Sequence, residues 1–270
     1  MAAGIRVVAI TPDAAPILQT FATAHQLRYP LLSDVGGKVI RAFGLLNPNI
    51  PPNPRQATGQ PFPGHFLVAP NGTVLAKAFT GDLRHRVSGS ALVLEYAGAT
   101  EEAAITLVDN DVLVAGIRLS SARLFGGQEI AVAVDLDLVD GWHVYAESVP
   151  SPYTALSINL DSEGELLAQQ RFTMPAPAQL DFAATGESLP MYEGHVLITG
   201  RARLRWSPPP SMFAGLEDAV NRRAIKPGAY RLQGRLCYQA CNDLICLEPR
   251  VERFELPIIV EANVAQRSSS

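Results

Sequence analysis

Cysteine is scarce in this chain: three among 270 residues, all between positions 237 and 246. A fold held together by disulfides spreads its cysteines out, so clustering points to local chemistry instead. Long apolar runs are missing too. The longest charge-free stretch, Gln56 to Ala76, is broken by Pro61, Pro63, Pro70 and several glycines, which excludes a spanning helix there. Met1-Ala-Ala-Gly4 has neither the basic start nor the apolar run of a signal peptide. A basic surplus is absent as well. The 22 Lys and Arg are scattered against 26 Asp and Glu, for a net charge of −4. That leaves no footprint for nucleic acid and no basic run for anionic lipid, so neither a nucleic-acid partner nor insertion into a membrane is expected. No phosphate-binding glycine loop, Ser–His–Asp order or dinucleotide fingerprint occurs, and no cofactor is expected. What is present is 47% hydrophobic and 18% charged residues, a globular composition long enough for two cores.

Two rhythms divide the chain. Residues 1–97 read as α/β. Arg6-Val-Val-Ala-Ile10 is a short apolar strand of the kind buried on both faces. Thr11 is placed to cap a helix with Pro12 at its first position, and Ile17, Leu18, Phe21 and Ala24 recur at helical spacing. Tyr29 to Asp34 is extended. Lys38 to Leu45 predicts a second helix, Asn71-Gly72 a hairpin turn between two strands, and Arg84 to Tyr96 a third helix. Ala97 to Glu101 marks the expected boundary. Beyond it, over residues 98–265, the period becomes that of strands: Ile130–Leu138, Val196–Thr199, Arg201–Trp206, and Tyr230–Tyr238 apart from Gly234. Many strands with turns between them predict an all-β sandwich of immunoglobulin-like type. Residues 207–228 read as an irregular insertion with a short helix near Leu216–Arg223, and 266–270 as a frayed tail.

The cysteines sit in Leu236-Cys-Tyr-Gln-Ala-Cys-Asn-Asp-Leu-Ile-Cys-Leu-Glu-Pro249. Asn242-Asp243 favours a turn, and a strand, turn and returning strand would bring Cys241 and Cys246 within disulfide reach. So short a bridge is a poor staple, because the chain-entropy gain grows with loop length. A short disulfide exposed on a turn is more readily reduced, and exchange needs an accessible thiolate with a second thiol close by. Spacing alone leaves exchange, an inert disulfide and a pair of reduced thiols all open. Zinc fits poorly, because C-x3-C-x4-C lacks the paired C-x2-C spacing and no histidine is near in sequence, so no metal site is expected. Strand parity puts Cys237 on the face of Arg235 and Gln239, opposite Leu236 and Tyr238. It is an accessory thiol that could mispair or regulate, or simply an incidental one.

Tyr238-Gln-Ala-Cys-Asn-Asp-x-x-Cys-Leu-x-Pro249 resembles the signature of the N-terminal periplasmic domains of the thiol:disulfide interchange protein DsbD. Gly141-Trp-His-Val-Tyr145, Tyr192-Glu-Gly-His-Val196 and Lys226-Pro-Gly-Ala-Tyr230 extend the likeness over residues 100–262. Glu248 stands where that family usually has proline, and Cys237 is additional. The resemblance implies an immunoglobulin-like sandwich outside the cytoplasm, in the periplasm. It implies electron relay through Cys241 and Cys246 to redox partner proteins, whether membrane-embedded or soluble and thioredoxin-like, with Cys241 attacking and Cys246 resolving. The competing reading is a protein-binding sandwich with a structural disulfide and no catalysis.

Val7-Val-Ala-Ile-Thr-x-Asp13, Tyr29-Pro-Leu-Leu-Ser-Asp34, Arg41-Ala-Phe-Gly44 and Pro63-Gly-His-Phe-Leu-Val-x-Pro-Asn-Gly72 resemble, in that order, the alkyl hydroperoxide reductase and thiol-specific antioxidant branch of thioredoxin folds. That family carries its reactive cysteine after the first strand, whereas residues 1–97 have none, so no peroxidase activity is expected. The likeness starts at the family's second strand. The missing first strand would lie mid-sheet, leaving Arg6–Ile10 without a neighbour, so the expected domain is a truncated thioredoxin-like one and the chain a fragment of a longer one. Pro63 matches the proline that is often cis in these folds. Elsewhere, His65, His143 and His195 read as surface or hydrogen-bonded strand histidines, Trp142 and Tyr145 as sandwich core, and Asp13 and Asp34 as helix-start and turn residues.

Overall fold

A computed structural model describes residues 4–50, 59–80, 86–97, 105–160, 166–182, 187–206 and 225–262. The chain divides into two compact units, Met1–Val87 and Ser88–Ser270. The expected insertion at 207–228 falls almost wholly outside the described residues, as does the tail.

The first unit runs β1 (Ala9–Thr11), α1 (Ala15–Ala24), β2 (Leu31–Ser33), α2 (Lys38–Ala42), β3 (Gly64–Val68), β4 (Val74–Phe79) and β5 (Arg86–Val87). Helix α1 starts later than Thr11 and Pro12 predict. Ala14 is its N-cap, and Pro16 takes the proline position of the first turn. Asp34 starts α2: its carboxylate accepts the Val39 and Ile40 amides at 3.0 and 2.9 Å. These bonds hold the Asp34 carboxyl below its ordinary range, as charge-assisted capping does. Helix α2 stops at Ala42, short of Leu45, because Gly44 turns left-handed. The Asn71-Gly72 turn forms as predicted, with Gly72 at φ 86° and the Thr73 amide on Asn71 Oδ1 at 3.0 Å. Strands β1 and β2 pair in parallel, β3 and β4 pair antiparallel, and the two pairs are separate sheets. Val7, Val8 and Ile10 are exposed, so β1 is not the doubly buried strand its composition predicts. The bond before Pro63 is trans; the cis peptide among the described residues is Ser151–Pro152. Pro63 is held instead by its carbonyl, which accepts the Thr80 amide at 3.3 Å.

The second unit opens with α3 (Gly89–Ala97) and continues through β6 (Ile105–Asp109), β7 (Leu113–Leu119), β8 (Arg123–Phe125), β9 (Gln128–Leu138), β10 (His143–Tyr145), β11 (Ser157–Leu160), β12 (Leu167–Thr173), β13 (Ala178–Phe182), β14 (Glu187–Glu193), β15 (His195–Leu204), β16 (Gly228–Tyr238), β17 (Ala240–Cys241) and β18 (Arg250–Glu261). Helix α3, the last element before the boundary expected at Ala97, is grouped with this unit. Ser88 Oγ accepts the Ala91 amide at 3.1 Å and starts the helix, whose buried Ala91, Leu92 and Leu94 pack against β9. That contact explains the burial rhythm of β9. Ile130 to Val134 are buried on both faces, while from Val134 to Leu138 burial alternates. The predicted strands 196–199 and 201–206 merge into β15, which runs straight through Gly200.

Strands β12-β15-β9-β7-β6 form one sheet and β11-β16-β18-β8 another; both contribute to one hydrophobic core, which makes the unit a β-sandwich. A smaller sheet, β13-β14-β10-β17, carries the cysteines. Strand β16 alternates as read from the sequence: Leu232, Leu236 and Tyr238 are buried, and Cys237 lies on the other face. Gly234 breaks the pattern for a packing reason. Its register partner is Phe254, and a Cβ there would lie 2.2 Å from the ring. We expect Gly234→Ala to destabilise the second unit by about 1–3 kcal/mol, as overpacking does, and Phe254→Leu to recover part of that loss. Urea unfolding of the two variants checks this; equal stability of Gly234→Ala and the parent would refute the packing account.

Candidate functional site

Strand β10 is three residues long and pairs with β14 on one side and β17 on the other. His143 lies opposite Cys241, and Val144 opposite Ala240. Side chains alternate across a strand. Val144 and Ala240 therefore enter the main core, whereas Tyr145 and Cys241 enter a small cluster with Leu189 and Met191 on the other face. Cys241 and Cys246 form a disulfide with Cα atoms 4.1 Å apart.

Backbone and side-chain bonds fix the loop between them. Asn242 Oδ1 accepts the Leu244 and Ile245 amides, both at 2.9 Å, and the Asn242 amide donates to the Ile245 carbonyl at 2.9 Å. This is the Asx turn that the Asn-Asp pair predicts. Below it the Leu247 amide donates to Ala240 at 2.9 Å, and Gln239 clamps the segment by accepting the Thr154 amide and donating to the Leu247 carbonyl. The tip is apolar and faces water: Leu244 is 90% exposed and Ile245 53%.

The two sulfur-bearing residues differ sharply. Cys241 is 1% exposed, whereas Cys246 is exposed. Cys246 is thus the more accessible residue of the two, whereas the family resemblance implies attack by Cys241. Tyr145, 1% exposed, places its hydroxyl 3.3 Å from Cys241 Sγ and 3.7 Å from Cys246 Sγ. Disulfide sulfurs carry no hydrogen, so the phenol is the donor. Burial, then the neighbouring Tyr153 and Glu187, push its ionisation above the ordinary range and keep that proton in place. Tyr153 packs on the Tyr145 ring at 4.7 Å between centroids.

The other residues singled out in the sequence lie elsewhere. Cys237 is a free, half-buried thiol on β16 facing Ser157 and Val251 across its sheet, and it is not joined to the pair. Pro63 belongs to the first unit. His195 Nδ1 meets Asp137 at 2.8 Å, and His65 Nε2 meets the Val87 carbonyl at 2.8 Å, so both are hydrogen-bonded as expected. His143 is not a surface histidine: it is 5% exposed, and its Nε2 is buried with no hydrogen-bond partner. Tyr145 is core, as read, but its hydroxyl also serves the disulfide. The Trp-His-Val-Tyr145 run was the available signal for both residues. Among the described residues no group of His, Cys, Asp and Glu could hold a metal ion, and no helix is long and apolar enough to cross a membrane.

The AhpC/TSA family profile matches residues 1–77, the minor part of the chain. No curated protein matches. Among solved structures, the N-terminal periplasmic domain of ScsB from Proteus mirabilis is 17% identical, with a TM-score of 0.37 over 57% of this chain and 48% of that one. The chain thus spans about half the length of that structure. The reduced N-terminal domain of DsbD from Neisseria meningitidis is 14% identical, with a TM-score of 0.26 over 48% of this chain and 82% of that one. AggA, the major subunit of an Escherichia coli aggregative adherence fimbria, is 10% identical, with a TM-score of 0.22 over 60% and 98%. Overlays this loose transfer neither fold nor function.

The exposure difference makes a direct prediction. After reduction with dithiothreitol, pulse alkylation followed by peptide mass spectrometry should label Cys246 well before Cys241. Equal labelling of the two would mean that the Cys241 pocket opens on reduction.

Proposed function

We propose that the second unit is a thiol–disulfide exchange module in which Cys246 is the sulfur that partners reach and Cys241 the buried sulfur that leaves and returns. The observation that carries this reading is a disulfide with one exposed and one buried end, the buried end facing a protonated phenol. A partner thiolate attacks Cys246 Sγ and forms a mixed disulfide. The Cys241–Cys246 bond breaks, and Cys241 leaves with the electron pair as a thiolate. The partner's second thiolate then attacks its own sulfur in the mixed disulfide and releases Cys246. The partner is oxidised to a disulfide, and this module ends as a dithiol after taking up two protons. The reverse sequence reduces an oxidised partner.

The Tyr145 hydroxyl favours the first step because a charge-assisted hydrogen bond to the departing thiolate is stronger than one to a neutral disulfide sulfur. Leu244 and Ile245 surround the point of attack with apolar surface. That favours a partner with an apolar rim about its own thiol, as a thioredoxin-like protein would present, and the sequence resemblance supports an extracytoplasmic setting. A purely structural bridge is the second reading; the small size of the loop counts against it.

Two outcomes test the proposal. Cys241→Ala should trap mixed disulfides through Cys246, whereas Cys246→Ala should trap few or none. A redox titration should find the Cys241–Cys246 couple reversible and well above about −300 mV, the region of structural disulfides. A bridge that resists reduction would support the structural reading. Separately, Tyr145→Phe should slow reductive opening by dithiothreitol about tenfold, the equivalent of about 1.5 kcal/mol for a hydrogen bond to a charged group. An unchanged rate would remove Tyr145 from the mechanism.

A further inference from the structure

His143 presents a buried polar atom that the oxidised state leaves unsatisfied. Its Nε2 has no partner, and the residue is 5% exposed. Buried polar groups in folded proteins nearly always find partners, so an orphan calls for a reason. Its neighbours supply one. His143 and Cys241 are register partners across β10 and β17, on the same face of the sheet. Directly opposed residues on one face have Cβ atoms about 4.5–5.5 Å apart. Tyr145, whose hydroxyl touches Cys241 Sγ, meets the His143 ring edge-on at 5.5 Å between centroids. A disulfide has no hydrogen to give. The reduced Cys241 does: released from Cys246, its sulfur gains a hydrogen-bonding proton directly across the sheet from His143, while the second new thiol, Cys246, lies on the exposed loop.

We propose that His143 is the base that takes the Cys241 proton when the reduced pair closes. This rests on the exchange reading above and assigns its proton transfer. Starting from the dithiol, the Cys246 thiolate attacks an external disulfide RSSR, forms Cys246–S–SR and releases RS⁻. The Cys241 thiol then gives its proton to Nε2, in the tautomer with hydrogen on Nδ1. The Cys241 thiolate attacks Cys246 Sγ, the bond to SR breaks and RS⁻ leaves with the electron pair. The imidazolium returns its proton to the departing thiolate or to water. The external disulfide is reduced to two thiols and the cysteine pair is oxidised.

The groups facing His143 are Tyr145 on its own strand, Glu193 opposite on β14, Cys241 opposite on β17, and Asp243 in the disulfide loop. Burial lowers the ionisation of the imidazole below its ordinary range, against the weaker pull of Asp243 and Glu193. The ring is therefore neutral at pH 7 and able to accept a proton.

The test uses the full chain with Cys237→Ser, so that the third thiol does not report. Reduced protein is mixed with excess 2,2′-dithiodipyridine, and thiopyridone release is followed. The first phase is attack by Cys246 and depends on reagent concentration. The second is closure by Cys241 and does not. His143→Phe should slow the second phase by on the order of 100-fold at pH 7 and leave the first within about twofold. In the parent the second phase should fall as pH drops below the ordinary imidazole range, because burial lowers the ionisation of His143; in the variant its midpoint should move upward, since the closing thiol then loses its proton without a base. His143→Gln, which can bond but not act as a base, should behave like the phenylalanine variant. A second phase unchanged in rate and pH profile in a folded His143→Phe protein would overturn the proposal. If the parent itself shows no second phase, the exchange reading fails instead. Should His143→Phe not fold, NMR titration of the His143 ring in the oxidised and reduced parent decides the matter. The midpoint must differ between the two states, and identical midpoints would overturn the assignment.

Discussion

The site depends on one short antiparallel pairing, that of β10 with β17. Two residues of each strand face each other, and they do two different jobs. Val144 and Ala240 are sealed into the main core, which sets the depth and register of both strands. With that register fixed, period-two alternation leaves no choice for the other positions: His143, Tyr145 and Cys241 must share the opposite face. A slip of one residue would send the cysteine into the sandwich core and the valine out. The chemistry is thus anchored by an apolar pair that takes no part in it.

From that register follows the asymmetry of the disulfide. Cys241 is still part of a paired strand and is covered by the Leu189 and Met191 cluster, whereas Cys246 lies beyond a turn organised by Asn242. Burial raises the cost of a charged sulfur, so a thiolate on Cys241 would be unfavourable without a donor. The Tyr145 hydroxyl is that donor, held by packing against Tyr153. On the exchange reading, the exposed residue would take the attack and the buried sulfur would leave toward its phenol donor.

Much of this was legible in the sequence, for identifiable reasons. The Asn-Asp turn, the cysteine spacing and the parity of Cys237 are local, and local rules read them correctly. In the second unit β7 and β18, which alternate cleanly, were not read, whereas β9, β15 and β16 were visible from their period. They blurred at Gly234, where a facing Phe254 ring replaces the missing side chain, and in the first half of β9, where α3 covers the second face. The difference in exposure between Cys241 and Cys246 was not legible, because exposure at a hairpin tip is set by what packs from elsewhere in the sheet. Nor was the setting of His143, which depends on a partner strand almost a hundred positions away in the chain, as the separation of 96 between Tyr145 and Cys241 shows. In the first unit the composition of Arg6–Ile10 predicts a doubly buried strand, yet Val7, Val8 and Ile10 are exposed, because a buried strand needs neighbours as well as composition.

The stability argument and the chemical argument for the disulfide can be weighed against each other. The cysteines are five positions apart, and closing so short a loop restricts the unfolded chain by about 2 kcal/mol in the chain-entropy picture, against about 4.7 for a loop of a hundred residues. In the folded state the Asx turn, the Leu247–Ala240 bond and the Gln239 clamp also hold the loop. A protein selected only for stability would gain more by linking distant strands of the sandwich. A bridge at an exposed tip, with a phenol on its sulfurs and a vacant imidazole nitrogen on the strand beside them, is expensive to arrange and contributes little to holding the fold. On the exchange reading proposed above, the arrangement allows the bond to open toward a partner while the rest of the sheet stays in register.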